Sequence, residues 1–243
     1  MKYEKILLNI PHSNTIIPNK VGIINDEELN ETINVLTDWY TDELFSFDNE
    51  RVKSFIFPYS RCWCDVERYK LDIDEPMSKK GMGVIYTHGV NGVKFKDIDL
   101  VESLDKEFIL ECYDKHHNDI INNIVDKTLI LDCHSFLPKK FKNDGLESDV
   151  NEFPHFCLGY NKDDENSYNT LLLIKEFLEN KGFSVGINNP YVGSLTYPIN
   201  KNLDSIMIEV NKELYLDDYN IKRCDFYKTK YTIVSIINYL LSL

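Results

Sequence analysis

Short apolar runs alternate with longer amphipathic stretches along the whole chain. Residues 5–10, Lys-Ile-Leu-Leu-Asn-Ile, read as a buried strand. Between residues 26 and 46, Leu29, Ile33, Leu36, Tyr40 and Leu44 recur at three- and four-residue spacing behind a capping Asn25 or Asp26, which predicts one long helix. Residues 52–59 predict a second strand and 128–133 a third. Between them, 99–126 predicts a helix with Leu104, Phe108, Cys112 and Ile120 on one face. Residues 155–160 predict a fourth strand, 167–181 a helix, 183–187 a fifth strand and 205–210 a sixth. A last helix over 227–243 carries Tyr231, Val234, Ile237 and Leu241 in register. Strands that alternate with helices imply a mostly parallel sheet covered on both faces. No repeat or linker interrupts the pattern, so residues 1–243 are expected to form one α/β domain, a three-layer α/β/α sandwich around a mostly parallel mixed sheet. The polar, weakly periodic segments 70–98 and 137–153 are expected to be long loops near its functional edge.

The chain holds 40 Asp and Glu against 27 Lys and Arg, a net charge of −13. That much negative charge repels a phosphate backbone, so nucleic acid is not an expected partner. No apolar run reaches the ~18 residues of a membrane span. The run at residues 6–8 is too short for a signal peptide, so a cytoplasmic protein without membrane contact is expected. The six Cys are scattered, unlike those of a secreted disulfide scaffold. Cys62 and Cys64 lack the spacing of a zinc knuckle and no second pair accompanies them.

Open α/β sheets bind ligands beyond the carboxyl ends of their strands. The first strand leads to His12, the third to His134, and the sixth carries Glu209 inside Met-Ile-Glu-Val. A carboxylate in a buried strand is costly unless a cation or a proton compensates it. Two imidazoles and a carboxylate are a common catalytic zinc set. The third ligand need not be Glu209, because the first helix offers Asp38, with Asp42 one turn later on the same face. Lys heavily outnumbers Arg, yet Arg61 and Arg68 fall in one short stretch, as a bidentate grip on a carboxylate would require. Cys133 and Ser135 flank His134 but point to the opposite face of a strand, which argues against a nucleophile activated by that ring.

Several short motifs occur in order: Pro11-His12-Ser13, Thr37-Asp38-Trp39, Tyr59-Ser60-Arg61 leading to Asp65-Val66-Glu67-Arg68, and Gly83-Val84-Ile85-Tyr86. Tyr113 with His116-His117, Leu131-Asp132-Cys133-His134-Ser135, Gly193-Ser194-Leu195-Thr196 and Ile208-Glu209-Val210 follow. Together they resemble the N-formylglutamate amidohydrolase family across nearly the whole chain. That family is similar, at a distance, to zinc carboxypeptidases and aspartoacylases. The resemblance implies a zinc-carboxypeptidase-like fold and a hydrolase, dependent on Zn2+ or another divalent metal, that cleaves N-formylglutamate to formate and glutamate. The substrate would be a small anionic N-acyl amino acid. By the same resemblance His12 and His134 hold the metal and Glu209 is the general acid/base; Asp38 is the candidate for a carboxylate ligand. Arg68 stabilises the oxyanion or a substrate carboxylate, and Arg61, His117, Ser194 and Tyr197 contribute to substrate binding.

Two positions depart from the pattern. Thr15 stands where a carboxypeptidase-like His-x-x-Glu has Glu, so the carboxylate must come from elsewhere. Glu67 stands where the family has Asn, and an ionised Glu67 would repel a substrate carboxylate. The alternatives are a related metallohydrolase for another N-acyl amino acid or a peptide carboxyl end, and an inactive ligand-binding relative.

Overall fold

The computed structural model of the 243-residue chain describes residues 2–139, 153–199 and 202–243. Six strands form one sheet: β1 (Lys5–Ile10), β2 (Val52–Ile56), β3 (Thr128–Phe136), β4 (Phe156–Gly159), β5 (Val185–Ile187) and β6 (Leu203–Asn211). Their order is β2-β1-β3-β6-β4-β5. Every neighbouring pair is parallel except β4 with β6. The mostly parallel mixed sheet expected from the sequence is therefore present.

Period-two alternation sends the strands' residues to two unlike faces. Ile6, Leu8, Ile10, Leu129, Leu131, Cys133, Ile206, Ile208 and Val210 build one continuous apolar core. Against it pack α4 (Glu165–Glu179), through Leu171, Ile174 and Leu178, and α5 (Phe226–Ser242), through Ile233, Ile236, Ile237 and Leu240. On the other face Leu7, Phe55 and Ile130 meet Ile120 of α3 (Ser103–Ile121) and Ile124 beyond it. Helices thus cover both faces in three layers.

Helix phases differ from the sequence reading. In α3 the buried side chains are Ile109, His116 and Ile120, while Leu104 is 74% exposed. In α5 the buried stripe runs through Ile233, Ile236 and Ile237, and Tyr231 faces solvent.

The continuous helix expected over 26–46 is two helices. α1 (Asp26–Leu36) opens under the side chain of Asn25, and α2 (Thr41–Leu44) is a single turn. Between them Thr37 is extended and Tyr40 is left-handed at φ 63°. Thr37 turns its hydroxyl back onto the carbonyl of Ile33 at 2.6 Å, a local bond that competes with helix continuation. Asp38 and Asp42 therefore do not share a helix face. β2 stops before Pro58, which has no ladder donor. β3 extends to Phe136 because Ser135 and Phe136 pair with Val210 and Asn211. Most of the loop expected over 137–153 lies outside the described residues. Among those described, no helix is long and apolar enough to cross a membrane.

Candidate active site

Along the carboxyl half of the sheet, the α3 face carries polar residues where the opposite face stays apolar. Asn9 pairs in register with Asp132, and His134 with Glu209. His12 follows two residues beyond β1. The break after α1 carries Asp38 to the same place, with its backbone N–H donating to the carbonyl of His12 at 2.9 Å.

His12, Asp38 and His134 form one buried cluster. The His134 Nδ1 lies 3.1 Å from Asp38 Oδ2, and the two imidazole centroids are 5.1 Å apart. The outer nitrogen of each ring meets a carboxylate: His12 Nε2 lies 2.9 Å from Asp65 Oδ1 and His134 Nε2 lies 3.1 Å from Asp132 Oδ1. The carboxylates of Asp132 and Asp38 raise the His134 imidazole well above its ordinary value, so it donates through Nε2 to Asp132 and through Nδ1 to Asp38, while His12 turns its Nδ1 toward Asp38. The His12 Nδ1 is buried without a hydrogen-bond partner, 3.7 Å from Asp38 Oδ2. Burial alone would raise the Asp38 carboxyl, but both imidazoles hold it below the usual carboxylate range. An orphaned buried nitrogen, a second inward-facing nitrogen and an ionised carboxylate suit a divalent cation, and a carboxylate behind each ring is the usual support for histidine ligands.

A second cluster, Glu67, Asp132 and His134, does not compete. The Asn9 amide already donates to Glu67 Oε1 at 2.6 Å and to Asp132 Oδ1 at 2.8 Å, and the N–H of Leu195 donates to Asp132 Oδ2. His116 fixes the amide's orientation, its Nε2 lying 2.8 Å from Asn9 Oδ1. Burial pushes His116 down to about 3, so its ring is neutral and donates.

Glu209 stands beside the first cluster. It is 8% exposed, and its Oε2 is buried with no hydrogen-bond partner. Burial pushes its carboxyl up to about 7. A carboxyl with that value exchanges a proton near neutrality. These groups open onto a cavity of about 700 Å3, lined by His12, Asp38, Arg61, Glu67, Arg68, His134, Glu209 and Lys212, with Met77, Met82, Tyr191 and Val192 as apolar wall. Met77 and Met82 come from the 70–98 segment, which therefore flanks the site.

The two arginines differ. Arg61 is spent on Asp65, with Nε at 3.1 Å and Nη2 at 2.9 Å from the same oxygen. Arg68 donates Nη2 to the Tyr86 hydroxyl at 3.4 Å, and its Nε has no hydrogen-bond partner. Of the two, Arg68 keeps more donor capacity for a ligand.

Residues 4–216 match the sequence profile of the N-formylglutamate amidohydrolase family. The chain belongs to that family. Two solved structures share its fold. The N-formylglutamate amidohydrolase of Ralstonia eutropha JMP134 superposes with a TM-score of 0.69 at 17% identity, covering 99% of this chain and 94% of that one. A gene product of Agrobacterium tumefaciens gives 0.63 at 15% identity, covering 98% and 91%. The chain has no significant match among curated proteins.

For a member of the N-formylglutamate amidohydrolase family, three expected substrate contacts fall away from the cavity lining. His117 has both nitrogens engaged, Nδ1 2.9 Å from the Tyr197 hydroxyl and Nε2 2.9 Å from the Val66 carbonyl, so this pair is closed on itself. Ser194 pairs with Ser205 at 2.7 Å. Glu67 also differs from expectation. Burial, with the charge of Asp132, pushes it up to about 8, which favours the neutral form at neutral pH and weakens the repulsion of an anion. Asp65, Asp132, Asn9 and Lys212 went unnoticed in the sequence as parts of the site. Two of them had a local signal, Asp65 four residues after Arg61 and Asp132 two residues before His134 on one strand face.

Proposed function

We propose that this family member hydrolyses the amide bond of a small anionic N-acyl amino acid, N-formylglutamate being the first candidate, with a divalent cation, Zn2+ by preference, held by His12, Asp38 and His134. The observation that carries this reading is the pair of orphaned buried atoms, His12 Nδ1 and Glu209 Oε2, in one cavity whose opposing groups are Asp38 and His134. When bound, such a cation supplies a Lewis acid for the amide carbonyl and lowers the pKa of water toward ~7.

The chain's own residues do the rest. Asp65 and Asp132 fix the tautomers of His12 and His134. Ionised Glu209 takes the proton of the attacking water and delivers it to the leaving nitrogen, so one water and one amide become a carboxylic acid and an amine. Arg68 binds a substrate carboxylate or the developing oxyanion, and neutral Glu67 offers a further donor. The apolar wall of Met77, Met82 and Tyr191 excludes bulk water from the reacting carbonyl.

A second reading, hydrolysis of a bulkier N-acyl amino acid or a peptide carboxyl end, is favoured by the cavity's volume, which falls in the range that encloses drug-sized ligands. Turnover of N-formylglutamate, N-acetylaspartate and short peptides by zinc-loaded protein separates the two. Stoichiometric zinc with turnover of none of them would leave the ligand-binding reading.

A further inference from the structure

We infer that Lys212 is a positioning residue that fixes the Asp38 carboxylate in ligand geometry, closing a clamp from the far end of β6 onto the turn after α1. The inference rests on the metal reading above. Lys212 opens a short 3-10 turn (Lys212–Leu214), three residues beyond Glu209, and lines the same cavity. It is 2% exposed, a rare setting for an ammonium. Its Nζ donates to the carbonyl of Thr37 at 2.6 Å and of Val35 at 3.1 Å. These carbonyls sit where α1 runs out, among the groups a helix end leaves without partners.

The same segment grips the turn twice more. The Tyr215 hydroxyl donates to the carbonyl of Trp39 at 2.9 Å, and Asn220 Nδ2 donates to Asn34 Oδ1 at 2.9 Å. The peptides on both sides of Asp38, through Thr37 and Trp39, are therefore held from one segment. Asp38's own amide is tied to His12, and its own carbonyl accepts the Thr41 hydroxyl at 2.9 Å. The backbone on both sides of Asp38 is thus held, and from it the carboxylate reaches the two imidazoles.

A neutral donor would suffice to cap a helix. Burying an ammonium instead is costly unless anions compensate it. The anions facing Lys212 are Asp38 and Glu209, with Arg61 opposing. Its charge thus faces the two carboxylates that the proposed chemistry uses, Asp38 as ligand and Glu209 as base.

Cobalt(II) titration of the purified chain tests this, because its visible absorption reports ligand geometry independently of turnover. Lys212→Met keeps the side chain's bulk and removes its donors. It is expected to weaken cobalt binding by about 10–100-fold, the usual cost of losing a group that supports a ligand, and to alter the visible band. Lys212→Arg, which restores charge and donors, is expected to recover most of the affinity. Wild-type affinity and spectrum in Lys212→Met would overturn the inference while leaving the metal site standing. If Lys212→Met does not fold, Lys212→Gln takes its place, and wild-type cobalt affinity there overturns the inference equally. A wild-type chain that takes up no cobalt would sink the metal reading itself.

Discussion

Glu209 is held in a strand whose neighbours are all apolar or engaged, with one oxygen facing nothing that donates. As the proposed base it is active only when ionised. With its carboxyl pushed up to about 7, the ionised fraction falls roughly tenfold per pH unit below that point. kcat/KM is therefore expected to rise with pH up to about 7 and to fall again above about 8 as Glu67 ionises, and an acid limb near the ordinary Glu value would remove Glu209 from its role. Glu209→Gln is expected to lower kcat by ~10²–10⁴. It should leave zinc content unchanged by elemental analysis, since Glu209 is not among the three ligands. His12, His134 and Glu209 were legible in the sequence because each interrupts or follows an apolar run, and chemistry at a strand's end has few competing explanations. Asp65, Asp132 and Lys212 were not. Their significance lies in partners 53 residues away for His12 with Asp65, 123 for Asn9 with Asp132 and 175 for Lys212 with Thr37. The local spacings, Arg61 with Asp65 and Asp132 with His134, do not name those distant partners.

At the scale of elements, β3 does two jobs on two faces. Leu129, Leu131 and Cys133 enter the core under α4 and α5, while Asp132 and His134 face the site. A truncation on the core face tests whether that division holds. Leu131→Ala is expected to cost about 2–5 kcal/mol of stability, read as a lower denaturation midpoint. KM for the substrate should hardly move at temperatures where the variant stays folded, and a large KM change would mean the two faces are coupled. The strand pattern was readable because buried parallel strands appear as short continuous apolar runs. The break after α1 was not, because Tyr40 and Leu44 keep the helical spacing while tertiary bonds from Lys212 and Tyr215 take the carbonyls of the turn. Hydrophobic phase likewise placed Leu104 and Tyr231 inward, since amphipathic spacing names a stripe without naming which neighbour covers it.

At the scale of the whole molecule, the proposed cation would join His12 just after β1, Asp38 in the turn after α1, and His134 in β3. A ligand that binds the folded chain and not the unfolded one stabilises by about 2.7 kcal/mol at 100 times its Kd. For a chain of this size that corresponds to a melting temperature higher by about 5–10 °C. Chelator-treated protein is expected to show that loss and zinc to restore it; identical melting curves would contradict a tight structural engagement of the metal. Against the −13 charge of the chain, the cavity sets Arg68, whose Nε has no hydrogen-bond partner, to meet the proposed anionic substrate.

His134 and Glu209 occupy matched positions on two adjacent parallel strands. Backbone hydrogen bonding sets the distance between such neighbours at about 4.8 Å, whatever the side chains around them become. The proposed ligand and the proposed base are thereby gauged by the weave of the sheet itself, and no loop has to hold the measure. Reshaping this enzyme toward other amides should then be a matter of the walls supplied by 76–82 and 188–192.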